Sequence, residues 1–167
     1  MIAASYAVEK KNMLTYEFQR EEEGLATKLF HSRVKIQDRA CALTIDHWSL
    51  INAASIEMVE KLGLPRTPHP HPYLLSLGSH KLTITHQTSV HFLLGPLSHV
   101  VCCDLIPLQL VSYHLLLGKP WTQEHRVLLS RCTPPQYSVY LGKKECILQS
   151  MDINNLERRK IAEEGGR

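Results

Sequence analysis

One aspartate of this chain stands in a position that suits acid–base chemistry. Asp46 follows the apolar stretch from Ala42 to Ile45, and the hydroxyl of Ser49 lies shortly after it. A carboxylate at the end of a buried strand is held rigidly and is partly desolvated, and both conditions favour proton transfer. The alternative is structural, with Asp46 capping the loop or the helix that follows. Since functional carboxylates are a minority, the residues around Asp46 alone favour that alternative.

A second segment, HLLLGKPW from His114 to Trp121, adds information through its order in the chain. An apolar triplet before a glycine is by itself typical of an ordinary buried strand. Between Asp46 and this segment, however, lie the small residues at 53–55, the helical pattern EMVEKLGL at 57–64, a proline-rich link and the run CDLIP at 103–107. The succession of these segments is more specific than any one of them.

This succession resembles the protease region of plant gypsy-class LTR retrotransposon polyproteins. In that family a strand similar to FHSR precedes IDxGS, and NxAS, VEKLGL and LLLGRPW follow. The resemblance covers roughly residues 28 to 150. The matching residues are Phe30 to Arg33, Ile45 with Asp46, Ser49, Asn52 with Ala54 and Ser55, Val59 to Leu64, and Leu115 to Trp121.

The resemblance implies a retropepsin-like aspartic endopeptidase in which Asp46 is catalytic. In that family two such aspartates, one from each subunit, face each other and share one proton, because two like charges so close cannot both ionise. The pair activates a water that attacks the peptide carbonyl directly. This chain carries one such loop and one LLLG segment, so the resemblance implies a homodimer acting on a peptide substrate.

The resemblance also places the parts around the catalytic aspartate. Leu116, Leu117 and Gly118 are expected to pack under the catalytic loop. A flap that closes over the substrate is expected near Leu77-Gly78-Ser79, the Gly-containing turn between the helix and the later strands.

The loop itself departs from the family, in which the aspartate is followed by a small residue, a glycine and then Ser or Ala. Here it is Asp46-His47-Trp48-Ser49. His47 is too large for a tight crossing at a dimer axis. Trp48 places an indole where the family's glycine allows the backbone to approach closely. We therefore expect impaired catalysis, that is, a pseudoenzyme. The alternatives are a working endopeptidase with an unusual loop, and a non-catalytic remnant acting as a dimerising or binding module.

The elements that must position Asp46 are mostly strands. Alternating apolar residues predict a hairpin at 30–36 and 41–45 and strands around 82–85 and 90–94, and a continuous apolar run predicts a buried strand at 100–106. Further strands are predicted at 114–117, 137–141 and 145–148. One helix is expected to begin near Ser55 and to end at Gly63 before Pro65. The fold class is therefore mostly β with one short internal helix, and the resemblance implies a closed barrel-like half of an acid protease.

The ends of the chain lack this pattern. Residues 1–27 are interpreted as a polar lead-in that could be helical, residues 28–150 as the retropepsin-like domain, and residues 151–167 as a polar tail. With 167 residues, 44% of them apolar, the chain is long enough for one domain with a sizeable core.

Composition disfavours several partners. The net charge of +3 comes without dense Lys/Arg clusters, so no nucleic-acid partner is expected. No apolar run approaches the roughly 18 residues that a membrane span needs. The five cysteines show no disulfide spacing, which favours a reducing, intracellular and cytoplasmic location.

A zinc module is a third alternative, since the chain has ten histidines and five cysteines. No C-x-x-C or H-x-x-x-H spacing occurs, and adjacent Cys102 and Cys103 would point to opposite faces of a strand. His69 and His71 lie close together in the proline-rich link, which we interpret as a solvated loop. The sequence therefore predicts neither a metal nor a cofactor.

Overall fold

Strands make up most of the described chain, as the alternating apolar pattern predicts. The computed structural model describes residues 2–10, 13–20, 30–77, 79–107, 113–130, 136–141 and 143–150. The strands are β1 (Ile2–Lys10), β2 (Met13–Arg20), β3 (Phe30–Ile36), β4 (Arg39–Ile45), β5 (Ala53–Ser55), β6 (Thr67–Leu77), β7 (His80–Leu94), β8 (Leu97–Ile106), β9 (Leu115–Leu117), β10 (Leu128–Ser130), β11 (Gln136–Leu141) and β12 (Lys144–Gln149). The helices are α1 (Ile56–Leu62) and α2 (Lys119–Glu124).

Six of these strands close into a barrel. Each neighbouring pair in the ring β7-β3-β4-β9-β5-β8 is hydrogen-bonded, and β8 pairs back onto β7. Strand β9 lies between β4, to which it is parallel, and β5, to which it is antiparallel. The chain segment that joins β4 to β5 must therefore pass around the end of β9, and this segment contains Asp46. The predicted mostly β, closed-barrel architecture is confirmed.

Strand β7 belongs to two parts of the molecule. Its first half, from His80 to Gln87, pairs with β6 to form a hairpin. Its second half, from Gln87 to Leu94, pairs with β8 inside the barrel. Gln87 thus stands where the hairpin joins the barrel, because it faces Thr67 on one side and Asp104 on the other.

Two apolar clusters fill the interior, one on each side of β9. Leu117 belongs to the larger cluster and Leu116 to the smaller one, because successive side chains of a strand point to opposite faces. The larger cluster includes Phe30, Leu43, Phe92, Leu115, Trp121 and Tyr137. The smaller cluster is Ile51, Ala53, Tyr73, Leu75, Ile84, Ile106 and Leu116. The loop that contains Asp46 therefore lies at the end of β9, a strand that both clusters hold in place.

Helix α1 begins and ends where the sequence predicts. The hydroxyl of Ser55 accepts a hydrogen bond from the Met58 amide at 3.2 Å, and Gly63 ends the helix with a φ of 65°. We expect Ser55→Ala to lower the free energy of unfolding by about 1 kcal/mol, because the Met58 amide loses its acceptor in a buried position. Urea denaturation measures this. The exposed strand residue Ser89 provides the control, and an equal loss for Ser89→Ala would contradict the capping role.

Three predictions about the elements need correction. A second helix, α2, follows Gly118, since Pro120 suits the first turn of a helix and Trp121 anchors it in the core. The lead-in contains strands β1 and β2 instead of a helix, in keeping with the alternation of Leu14, Tyr16 and Phe18 with polar residues.

The third correction concerns the proline-rich link, most of which forms strand β6, beginning at Thr67. Its prolines are tolerated because the register between β6 and β7 shifts between Pro68 and Tyr73, which leaves the intervening residues outside the regular ladder. The proposed tail at 151–167 lies outside the described residues. Among those that are described, no helix is long and apolar enough to cross a membrane.

Candidate active site

Asp46 lies directly after β4 and is completely buried. Its backbone amide donates a hydrogen bond to the carbonyl oxygen of Leu117 at 2.9 Å, which ties the loop to the end of β9. Its carboxylate oxygen Oδ1 accepts a hydrogen bond from the Trp48 amide at 2.9 Å. The other oxygen, Oδ2, has no hydrogen-bond partner among the described residues. The site thus presents one held and one unengaged oxygen of a buried carboxyl group.

The loop after Asp46 is fixed by backbone hydrogen bonds. Ser49 donates from its amide to the Asp46 carbonyl oxygen at 3.2 Å, and its own carbonyl oxygen accepts from the Lys119 amide at 2.7 Å. The hydroxyl of Ser49 donates to the carbonyl oxygen of Ile51 at 2.9 Å. Ser49 therefore serves the shape of the loop, and its hydroxyl is already engaged.

Asn52 holds the loop from the other side. Its side-chain oxygen accepts a hydrogen bond from the Gly118 amide at 2.9 Å, and its carbonyl oxygen accepts one from the Asp104 amide at 2.9 Å. The sequence matches Asn52 to the N-x-A-S motif but does not assign it a role. Its role could have been predicted from its place just before a strand, where a short amide side chain can form a hydrogen bond with a neighbouring backbone.

Gly118, which directly follows β9, leaves no room for a side chain against the loop. A Cβ atom added there would lie 2.1 Å from the carbonyl oxygen of Ile51 and 2.7 Å from that of Ser49. Both are backbone atoms, so neither can move aside without moving the loop. Of the residues expected to pack under the loop, Leu117 and Gly118 contact it directly through hydrogen bonds, and Leu116 shares an apolar cluster with Ile51.

His47 and Trp48, the two departures from the family loop, point in different directions. The His47 ring lies against Tyr137 of β11, with ring centroids 5.0 Å apart, and its Nε2 atom is buried without a partner in the described part of the chain. The Trp48 side chain is 69% exposed, and the Lys119 ammonium lies 6.0 Å from its ring centroid. Tyr137 was not anticipated, since nothing in the sequence links β11 to the loop.

Burial dominates the electrostatics of these groups. Desolvation raises the pKa of Asp46, although the nearby backbone amides of Trp48 and Ser49 oppose the shift. Desolvation lowers the pKa of His47. The pKa of Tyr137 is raised, first by burial and then by the nearby Asp46 carboxylate. Burial therefore disfavours the charged forms of both Asp46 and His47.

We expect Asp46→Asn to stabilise the fold at neutral pH and to do so less in acid. Because the folded-state pKa of Asp46 is raised above the ordinary value of 3.8, ionisation costs folding free energy as pH rises through that range. Asn has no charge and retains an acceptor for the Trp48 amide. The difference in thermal midpoint between variant and natural chain should thus grow as pH rises above 3.8 and then level off. A pH-independent difference would contradict the desolvation of Asp46.

Two of the three expected flap residues, Leu77 and Ser79, lie at the tip of the β6–β7 hairpin. Leu77 ends β6, and Ser79 lies in the turn before β7. Gly78 lies outside the described residues.

A second buried carboxylate lies where this hairpin joins the barrel. Asp104 of β8 accepts hydrogen bonds from the Tyr73 hydroxyl at 2.5 Å and the Gln87 amide at 3.2 Å, and its Oδ1 lies 3.1 Å from His69 Nε2. The prediction that His69 is a solvated loop residue is wrong, since the irregular stretch of β6 carries it onto Asp104. His71 is exposed.

The zinc alternative depends on clustered His, Cys, Asp and Glu side chains. In the described ranges, no group of three or more His, Cys, Asp or Glu side chains is arranged to hold a metal ion. Cys102, Cys103 and Cys146 are free thiols.

Comparison with known proteins is informative at the level of structure alone. No protein-family profile matches this sequence, and no curated protein resembles it in sequence. The retroviral protease-like domain of Ddi1 from Leishmania major is similar in structure, with a TM-score of 0.50 at 9% sequence identity. The match covers 76% of this chain and 96% of that domain. The chain therefore has a retroviral-protease-like, that is retropepsin-like, fold.

Proposed function

We propose that this chain is a retropepsin-like aspartic endopeptidase domain of a plant gypsy-class LTR retrotransposon, with a catalytic loop that impairs its activity. The observation that carries this proposal is the Asp46 carboxyl group, which is buried in a loop locked to the LLLG segment and keeps one oxygen unengaged. The natural substrate would be a peptide of the element's own polyprotein.

The described chain supplies half of an aspartate pair. Asp104 is its other buried aspartate, but both of its oxygens already accept hydrogen bonds at the hairpin junction. Asp38 lies in the β3–β4 turn, where it is exposed. The second aspartate of the pair would therefore be Asp46 of another copy of the chain. The active form would be a symmetric homodimer.

In such a pair the properties of Asp46 suit the reaction. The desolvation that raises its pKa favours retention of one proton between the two carboxyl groups. The ionised carboxyl group accepts a proton from a water held by the unengaged oxygens. That water attacks the peptide carbonyl carbon, while the protonated carboxyl group donates its proton to the carbonyl oxygen.

The impairment follows from sterics more than from charge. Burial lowers the pKa of His47 and so disfavours a positive charge on the imidazole beside the shared proton. Trp48, however, presents its exposed indole two residues from Asp46, on the loop that a second copy would have to approach. A bulky side chain there keeps two loops apart.

The exposed Trp48 also favours the alternative, a non-catalytic remnant that acts as a dimerising or binding module. An indole that is 69% exposed is a common anchor in protein interfaces. Removal of the indole distinguishes the two functions. It should promote self-association of an impaired protease and weaken self-association of a binding module.

Sedimentation velocity at increasing concentration makes this distinction. We expect the natural chain to remain largely monomeric, and Trp48→Gly to shift it towards a dimer, because the loops can then approach. Lys119→Ala, which removes the cation beside the indole but leaves the indole in place, serves as the control and should not promote the dimer. A natural chain that dimerises and loses its dimer with Trp48→Gly would support the binding module instead.

A further inference from the structure

The hairpin of β6 and β7 is joined to the barrel at one buried carboxylate. Tyr73 and His69 reach Asp104 from β6, and Gln87 reaches it from β7. Gln87 is also the residue at which β7 changes partner from β6 to β8. Both strands of the hairpin are therefore tied to Asp104 at the place where the hairpin leaves the barrel.

The side chains of Tyr73, His69 and Gln87 can each present a hydrogen-bond donor to Asp104. The His69 Nδ1 atom accepts a hydrogen bond from the His71 amide at 2.9 Å, so the proton of the neutral ring lies on Nε2, which faces Asp104. The Tyr73 hydroxyl and the Gln87 amide can both donate. Two hydrogen-bond donors, from Tyr73 and Gln87, and the His69 Nε2 atom at 3.1 Å thus surround a carboxylate that is only 7% exposed.

On its other side, Asp104 is connected to the catalytic loop. Its amide donates to the Asn52 carbonyl oxygen, and the Asn52 side chain accepts from the Gly118 amide. Gly118 in turn lies so near the loop that a Cβ atom added to it would stand 2.1 Å from the Ile51 carbonyl oxygen and 2.7 Å from that of Ser49. A continuous series of hydrogen bonds and close contacts thus runs from the hairpin base to the loop that carries Asp46.

We propose that Asp104 is a positioning residue that couples the hairpin to the catalytic loop, so that movement of the hairpin base is transmitted through Asn52 to Gly118 and Asp46. The use of this coupling in substrate closure rests on the proposed function, since it requires the hairpin to act as a flap. The coupling itself is a property of the natural chain and can be measured without any catalysis.

Amide hydrogen exchange of the natural chain and the Tyr73→Phe variant tests the coupling. This change removes one hydroxyl and keeps the ring, so the small apolar cluster stays filled. We expect exchange to become about tenfold faster in the hairpin and also at the amides of Trp48, Ser49 and Gly118, because a buried carboxylate oxygen loses its donor. None of these three residues contacts Tyr73 through a hydrogen bond in the described structure.

Thr88→Val is the matched control. Thr88 is buried in the same strand as Gln87 and donates to the Pro65 carbonyl oxygen at 2.7 Å, without a hydrogen bond to Asp104. The Thr88→Val variant should accelerate amide exchange near the lost hydrogen bond to Pro65 and leave exchange at the amides of Trp48, Ser49 and Gly118 unchanged. Faster exchange confined to the hairpin in Tyr73→Phe, or equal loop acceleration in both variants, would overturn the coupling. Coupled exchange with no cleavage by any loop variant would instead reject the proposed function alone.

Discussion

Replacement of Gly118 by alanine is expected to remove at least about 3 kcal/mol of stability, which is severe for a domain of this size. The backbone of Gly118 has a φ of −103°, which alanine adopts freely, so the cost is entirely steric. The new methyl group would lie 2.1 Å from the Ile51 carbonyl oxygen. Either β9 or the loop that carries Asp46 must move, and the hydrogen bonds from the amides of Asp46, Gly118 and Lys119 would be stretched together. Equilibrium denaturation in urea measures the loss.

Gly63→Ala is the matched control for this prediction. Gly63 has a φ of 65° and open space around its Cα, so alanine there meets backbone strain without a clash. We expect a cost of about 1 kcal/mol from that strain. Equal losses at the two positions would mean that the close approach at Gly118 does not matter.

Replacement of His47 by Ser and Trp48 by Gly together is expected to give peptidase activity to a chain in which we expect little or none. The backbone of Trp48 does not adopt a positive φ, so glycine contributes there mainly by the absence of a side chain. Its removal opens the face of the loop beside Asp46. Serine in place of His47 ends the contact with Tyr137 and supplies a small hydroxyl residue, as in the family loop. Cleavage of a peptide library at mildly acidic pH measures the gain, from no detectable products to defined ones.

The natural chain and the two single variants are the controls for that gain. Because Trp48 is exposed and His47 is half-buried, we expect Trp48→Gly to recover more activity than His47→Ser. Cleavage by the natural chain that stops on Asp46→Asn would show that the loop is not impaired.

Local patterns in the sequence predicted several elements of the fold well. The β3–β4 hairpin, the Ser55 cap, the Gly63 terminus and the β11–β12 hairpin follow from alternation and capping residues, which act over a few positions. Helix α2 was missed because its six residues are too few for a helical period to show.

Contacts between residues that are distant in the chain were harder to predict from the sequence. Asp46, Leu117 and Gly118 could be anticipated from motif order. The packing of His47 on Tyr137 brings together segments that are far apart in the chain, and no pattern in either segment predicts it. His69 was misassigned because proline suggests an exposed connection, whereas here an irregular stretch turns the imidazole onto a buried carboxylate.

The central claim is that Asp46 is one half of an aspartate pair, and the most direct test is its replacement in the restored loop. Peptide cleavage by the His47→Ser, Trp48→Gly chain should be compared with cleavage by the same chain carrying Asp46→Asn. We predict a loss of at least about 100-fold, because the carboxyl groups both hold the shared proton and activate the water. Unchanged cleavage after Asp46→Asn, or a folded and dimeric double variant that cleaves nothing, would contradict the account.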